Sequence, residues 1–259
     1  MGMNNRILRP RASGYVAPDA DARAYLASVR TADGSSLEPA VAKAINDFVA
    51  GCKADSIWDA IKACCILCGA KTLSGALTPL KGTAPTNNGP FVAGDYDRET
   101  GLLGNGSTKW LDSGRNNDAD PQDSKHIAIY RSVAATNDAG MIGSNNTTSG
   151  HSHIYAGFGS FIFRNNAATS LNEPLSTNTG AVFVGTSRAS SASFGIRVGS
   201  ASNTTSVISQ TPANANIRVF ETGGRTNARL AFYSIGESLD LALLRTRVDA
   251  LIAAIQAAI

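Results

Sequence analysis

Between residues 102 and 233 the chain is built from short apolar or alternating runs. These are Leu102–Leu103, Lys109–Leu111, His126–Tyr130, Ile154–Phe163, Ala181–Gly185, Phe194–Val198, Ile217–Phe220 and Arg229–Tyr233, separated by clusters of Gly, Asn, Ser and Thr. Ile127 and Ile129, and again Phe194, Ile196 and Val198, alternate with other residues in the period of two that turns one side of a strand into a core. About eight to ten short strands at this spacing, with no helical period between them, predict a mainly β fold. The expected form is an antiparallel β-sandwich of the jelly-roll kind. The 25 glycines supply the turns such a fold needs, and 259 residues at 43% hydrophobic are ample for its core.

Helical patterns flank these strands. Residues 1–17 read as an extended arm, with Arg6, Arg9 and Arg11 around Pro10 and no apolar period. A frayed end and a tether lying on a neighbouring subunit both fit it. Residues 18–82 read as a helical assembly region. Asp19 or Asp21 caps a first helix carrying Ala22, Tyr25, Leu26 and Val29. Ser36 opens a second, with Val41, Ala44, Ile45 and Phe48 on one side and Gly51 as its stop. A third is expected from about Ala54 to Gly69, carrying Ile57, Trp58, Ile61, Cys64, Cys65 and Cys68. The jelly roll then occupies residues 83–237. Residues 238–259 form a C-terminal amphipathic helix capped by Ser238, whose Leu244, Val248, Leu251 and Ile255 lie on a heptad seam. That seam fits packing on the chain's own core, and it equally fits self-association.

The formal charge of +3 is too mild for a general nucleic-acid binder. Neither a signal-peptide core nor a stretch apolar enough to span a membrane is present, so folding in a cytoplasm is expected. All four cysteines fall between residues 52 and 68, which suits small core residues better than a disulfide framework. Cys65 and Cys68 form an isolated CxxC, a weak metal or redox signal.

The stretch "GLLGNGSTKWLDSG", several strands, and then "ARLAFYSIGESLDLALLRTRVDALIAAI" together resemble the laminin-G/concanavalin A-like jelly-roll domains. With the preceding "INDFVAGCKADSIWDAIKACCILCGAKTLSGALTPLKGTAPTNNGPFVAGDYDRETG", the chain looks most like a group of bacteriophage virion proteins. These occur as tail-fibre, spike and head-surface components. The resemblance covers roughly residues 40–259. It implies a structural role on a tailed-phage particle, other virion proteins as partners and a homotrimeric assembly. A fibre or adhesion component of the tail contacting host-surface polysaccharide is the favoured form. A capsid decoration protein and an extracellular lectin-like protein are the alternatives.

Several stretches of the chain carry residues suited to chemistry. Asp118, Asp120 and Asp123 offer a calcium loop, but Pro121 fills the bend and no Glu closes the site, so a turn bonding its own backbone is the better reading. Glycoside hydrolysis needs two carboxylates across the scissile bond. Among Glu38, Glu99, Glu173, Glu221 and Glu237 none has a partner at suitable spacing on its own strand, and no enzyme is expected. His151 and His153 would share a strand face, and with His126 they could make a zinc site, although the flanking polar residues suit loop-edge histidines. No nucleophile elbow, phosphate loop or dinucleotide fingerprint occurs, and no cofactor is expected. What remains is recognition at the sandwich edge, with Trp110, Tyr155 and Phe158 as candidate glycan contacts.

Overall fold

The structure, a computed structural model, describes residues 15–144, 149–157, 159–173 and 180–259. In chain order it starts with α1 (Ala20–Asp33), α2 (Pro39–Ala54), β1 (Ile61–Ile66), the single turn α3 (Leu73–Ala76), β2 (Pro79–Lys81) and β3 (Thr86–Asn88). Next come β4 (Tyr96–Asp97), β5 (Gly101–Leu103), β6 (Trp110–Asn116), β7 (Lys125–Val133), β8 (Ala139–Ser144) and β9 (His151–Gly157). Then follow β10 (Ser160–Ala167), β11 (Leu171–Glu173), β12 (Val182–Arg188), β13 (Phe194–Val198) and β14 (Ala201–Thr205). The chain closes with β15 (Asn216–Val219), β16 (Arg229–Gly236) and α4 (Leu241–Ala258).

Two antiparallel sheets result. The first runs β14-β13-β12-β7-β16-β1-β2, with β5 also on β16 and β4 on β5; the second runs β11-β10-β9-β8-β15-β6-β3. This is the β-sandwich that the alternating runs predict. Its two sheets enclose one core, in which Ile127, Ile129, Tyr233 and Ile235 of the first meet Ile142, Ile154, Phe161, Phe163 and Ile217 of the second. A second core lies on the other side of the first sheet. There Cys64, Ile66, Ala128, Phe183 and Phe232 pack under Val29, Ile45, Phe48, Leu244, Val248 and Leu251 of the helices. The molecule therefore has three layers, helices on a sheet on a sheet, and the central sheet is covered on both faces.

That double burial corrects the expected third helix. Residues 61–66 are β1, paired with β16 through Cys64↔Ser234, Cys65↔Tyr233 and Ile66↔Phe232. Cys64 faces the helices and Cys65 the inter-sheet core. A strand buried on both sides is apolar without alternation, and over a short run it cannot be told from a helix by period. Residues 18–82 are thus not a separate helical region, because they place β1 inside the first sheet. All four cysteines are free and buried.

The helix ends also differ from expectation. α1 begins at its Asp19 cap, as predicted, and ends at Gly34 with φ +70°. α2 starts at Pro39 rather than Ser36 and runs through Gly51 to Ala54. Gly51 is no stop but a crossing point: a Cβ there would lie 2.8 Å from Arg247 of α4, whose guanidinium holds Asp55 at 2.7 Å. α4 is capped by Asp240, which accepts from the N–H groups of Ala242 and Leu243, while the Ser238 hydroxyl lies 3.1 Å from that of Ser124. Leu244, Val248, Leu251 and Ile255 are buried within this chain, so the seam packs on the chain's own core. Arg6, Arg9 and Arg11 lie outside the described residues.

Candidate functional site

The acidic loop resolves into structure. Asn116 accepts from the Asp118 N–H and opens a short 3-10 turn over Asn117–Ala119, with Asp118 exposed. Asp120 turns inward instead. Its carboxylate pairs with Arg115 and, at 3.0 Å, with the fully buried Lys125, whose ammonium also donates to the Asn117 carbonyl. Burial pushes the Asp120 carboxyl up, but the Arg115 hydrogen bond and the Lys125 charge outweigh it and hold the group below its ordinary range. Both Asp120 oxygens are therefore committed to cations. Asp118, Asp120 and Asp123 do not converge, and among the described residues no group of three metal-binding side chains occurs.

His126 is not near the other two histidines in the sheets, since it lies on β7 while His151 and His153 lie on β9. Its Nδ1 is 2.5 Å from the Glu237 carbonyl and its Nε2 is 2.7 Å from Ser234 Oγ. A carbonyl only accepts, so Nδ1 carries the proton and Nε2 accepts from the serine. This is the arrangement of a nucleophile and its base. Both residues are fully buried, however, so no substrate reaches them. Burial pushes the His126 pKa down to about 4, and the pair serves to join β7 to β16.

Among the described residues, no further layer covers the outer face of the second sheet. Side chains alternate along its strands, so those opposite the core residues point outward. The register aligns Arg164 (β10), His153 (β9), Gly143 (β8), Arg218 (β15), Asp112 (β6) and Thr86 (β3) in one row across the sheet. Gly143 brings no side chain to the row, and the space a Cβ would take there is filled by the His153 Cβ and the Ser152 carbonyl, each 2.6 Å away. The Arg218 guanidinium lies over the Trp110 ring, 4.3 Å from its centroid, and donates to Glu221 at 3.1 Å. Glu221 is buried and also pairs with Arg225 at 3.3 Å. Asp112 accepts from Asn216, 3.1 Å from each oxygen. Trp110 thus stands half-buried at a rim of fixed polar groups, an apolar ring with hydrogen-bonding neighbours.

At the other end of the row His151, His153 and Tyr155 succeed one another on the outer side of β9. His151 Nε2 is 3.1 Å from His153 Nδ1, and Arg164 Nη1 is 3.1 Å from His151 Nδ1. Burial, with His151 and the positive Arg164 adding to it, pushes the His153 pKa down to about 3. Tyr155 pairs across to Gly140, in the same face as Trp110 but three strands away. Phe158 lies outside the described residues. Trp110 and Tyr155, which the sequence offers as glycan contacts, lie on this face; His151 and His153, which it offers as loop-edge residues or zinc ligands, stand on β9 instead. Sequence reasoning missed Arg164, Arg218 and Asp112, although "FIFRN" and "NIRV" do alternate.

No protein-family model matches the sequence, and no curated protein is similar to it. Among solved structures it is similar to a mutant of Trypanosoma rangeli sialidase displaying trans-sialidase activity. That match has 8% identity and a TM-score of 0.50, over 81% of this chain and 39% of that one. The likeness shows the fold. The binding domain of botulinum neurotoxin DC, in complex with rat synaptotagmin II, aligns over 57% of this chain and 42% of its own, with 14% identity and a TM-score of 0.44. Domain 4 of an extracellular arabinanase from Geobacillus stearothermophilus, in complex with arabinotriose, aligns over 64% and 82%, with 9% identity and a TM-score of 0.42. The chain spans about two fifths of the sialidase and neurotoxin structures it matches.

Proposed function

We propose that this chain is a non-enzymatic recognition module that holds polysaccharide on the open face of the second sheet. The observation that carries this is the row itself. The first sheet is closed by helices on one side and by its partner sheet on the other. The remaining face presents Trp110 with Arg218 stacked on it and fixed acceptors at Asp112. A half-buried aromatic ring flanked by immobilised hydrogen-bonding groups suits the mixed apolar and hydroxyl-rich surface of a sugar. The resemblance to phage virion proteins supports the finer reading, an exposed adhesion component of a tailed-phage particle that contacts host-surface glycan.

Binding to a panel of bacterial surface polysaccharides tests the module. One polymer is expected to bind saturably without release of reducing ends, and Trp110→Ala is expected to weaken it by at least about tenfold; because Trp110 also packs against the inter-sheet core, the variant's melting temperature falls too, and binding is compared well below it. Wild-type binding that Trp110→Ala leaves intact places the site elsewhere, and hydrolysis of the polymer overturns the non-enzymatic reading. Antibody labelling of particles tests the finer statement. Label at tail tips supports adhesion, label over the head supports the decoration alternative, and no label on any particle removes the virion reading. Light scattering of the purified chain tests the expected homotrimer.

A further inference from the structure

The Arg164 end of the row differs from the Trp110 end in its charge balance. Arg218 and Arg225 share the Glu221 carboxylate, and Asp112, opposite Arg218 in the register, supplies a second negative charge to that end. Arg164, by contrast, is half-buried, and no carboxylate among the described residues pairs with it; burial alone lowers its pKa. Its Nε donates to Ser170 Oγ at 2.8 Å and its Nη1 meets the His151 ring.

Arg164 can only donate, and its Nη1 lies 3.1 Å from His151 Nδ1 and 3.2 Å from His151 Nε2, so a ring nitrogen of His151 accepts from it. His151 Nε2 and His153 Nδ1, 3.1 Å apart, share one proton between them. Ser170 Oγ accepts from Arg164 Nε and lies 3.5 Å from His153 Nε2, which leaves the hydroxyl proton available to an incoming acceptor. A half-buried cation beside a hydroxyl and an imidazole, with no carboxylate on it, is complementary to an anion.

The geometry points to an anion subsite at Arg164, His153 and Ser170 for a carboxylate or sulfate on the saccharide whose ring packs at Trp110. This rests on the polysaccharide-binding reading above and names the class of polymer. Arg164 and Arg218 are three strand spacings apart, about 14 Å, so an acidic oligosaccharide engages both ends where an acidic monosaccharide reaches one.

The test uses the full chain and two matched polymer pairs, polygalacturonate with its carboxyl-reduced form and dextran sulfate with dextran, alongside the broader panel. Wild type is expected to prefer one anionic polymer over its neutral counterpart by about tenfold or more. Arg164→Gln should bring that pair to equality, Arg164→Lys should keep part of the preference, and Trp110→Ala should weaken both members alike. Arg245→Gln, the same charge change on α4, should leave the preference untouched. Unchanged melting of Arg164→Gln shows that the variant is folded; if it is not, Ser170→Ala and His153→Gln replace it, each expected to reduce the preference. The pair that responds distinguishes carboxylate from sulfate. Binding of neutral polymers with no preference for either anionic one overturns the subsite and leaves the module standing. A preference that survives Arg164→Gln, or that falls equally with Arg245→Gln, also overturns it. If wild type binds nothing in the panel, both readings fall.

Discussion

Arg188 is fully buried, and its guanidinium donates to the backbone carbonyls of Asn165, Ser190, Ser191, Ser193 and Val207. It ties β12 to β10 and to the loops around β13 and β14, so replacing it takes the donor from the buried Asn165 carbonyl and from four part-buried loop carbonyls. Arg188→Leu is expected to cost about 3 kcal/mol or more in urea unfolding, and a loss below about 1 kcal/mol would contradict this role. Asp120 is the other residue on which local order depends. Asp120→Asn removes the charge facing Lys125 and should destabilise by about 3 kcal/mol, while calcium should leave the melting temperature of the wild type unchanged. Neither role could be seen in the sequence. An Asp, an Arg and a Lys a few positions apart look like surface charge until a tertiary fold buries them, and the same "NNDADPQD" pattern serves an exposed turn and an internal ion pair.

At the scale of elements, α4 shows how one pattern supports two outcomes until its surroundings are known. Its apolar stripe packs on α2 and on the first sheet, and Leu251 and Ile255 are buried there. Leu251→Ala is expected to cost about 2–5 kcal/mol, and Asp240→Ala, which removes the cap, about 1 kcal/mol. Chemical unfolding checks both, and a Leu251→Ala variant as stable as wild type would mean that the seam is not part of the core. α1 and α4 were legible because each has one wet face and one dry face. β1 was not, because its two faces are both dry. β8, with Gly140 and Gly143 at outward positions, was missed for the opposite reason: glycines erase the alternation that marks a strand.

For the whole molecule, two histidines whose pKa the fold lowers, the fully buried His126 and the half-buried His153, make stability depend on pH. The His126 pKa falls to about 4 and that of His153 to about 3, below the ordinary value near 6.5. Between these values the unfolded chain binds more protons than the folded one. Stability is therefore full above about pH 6.5 and declines as pH falls towards 4. Urea midpoints measured from pH 7.5 to 4.5 should drop, and His126→Gln should flatten part of that slope. The Asp120 contribution is lost only at lower pH, because its carboxyl is held below the ordinary value of 3.8, so it does not account for a slope in this window. A flat profile in the wild type would contradict the lowered pKa of both rings. The sequence by itself determined that this chain makes a β-sandwich with helices at both flanks, because turn residues and the period of two are local signals. Only the tertiary structure decided that the helices close one sheet and leave one face of the other open. It alone aligned Arg164, His153, Arg218 and Asp112 there, because register between strands distant in sequence is set by the cores they share.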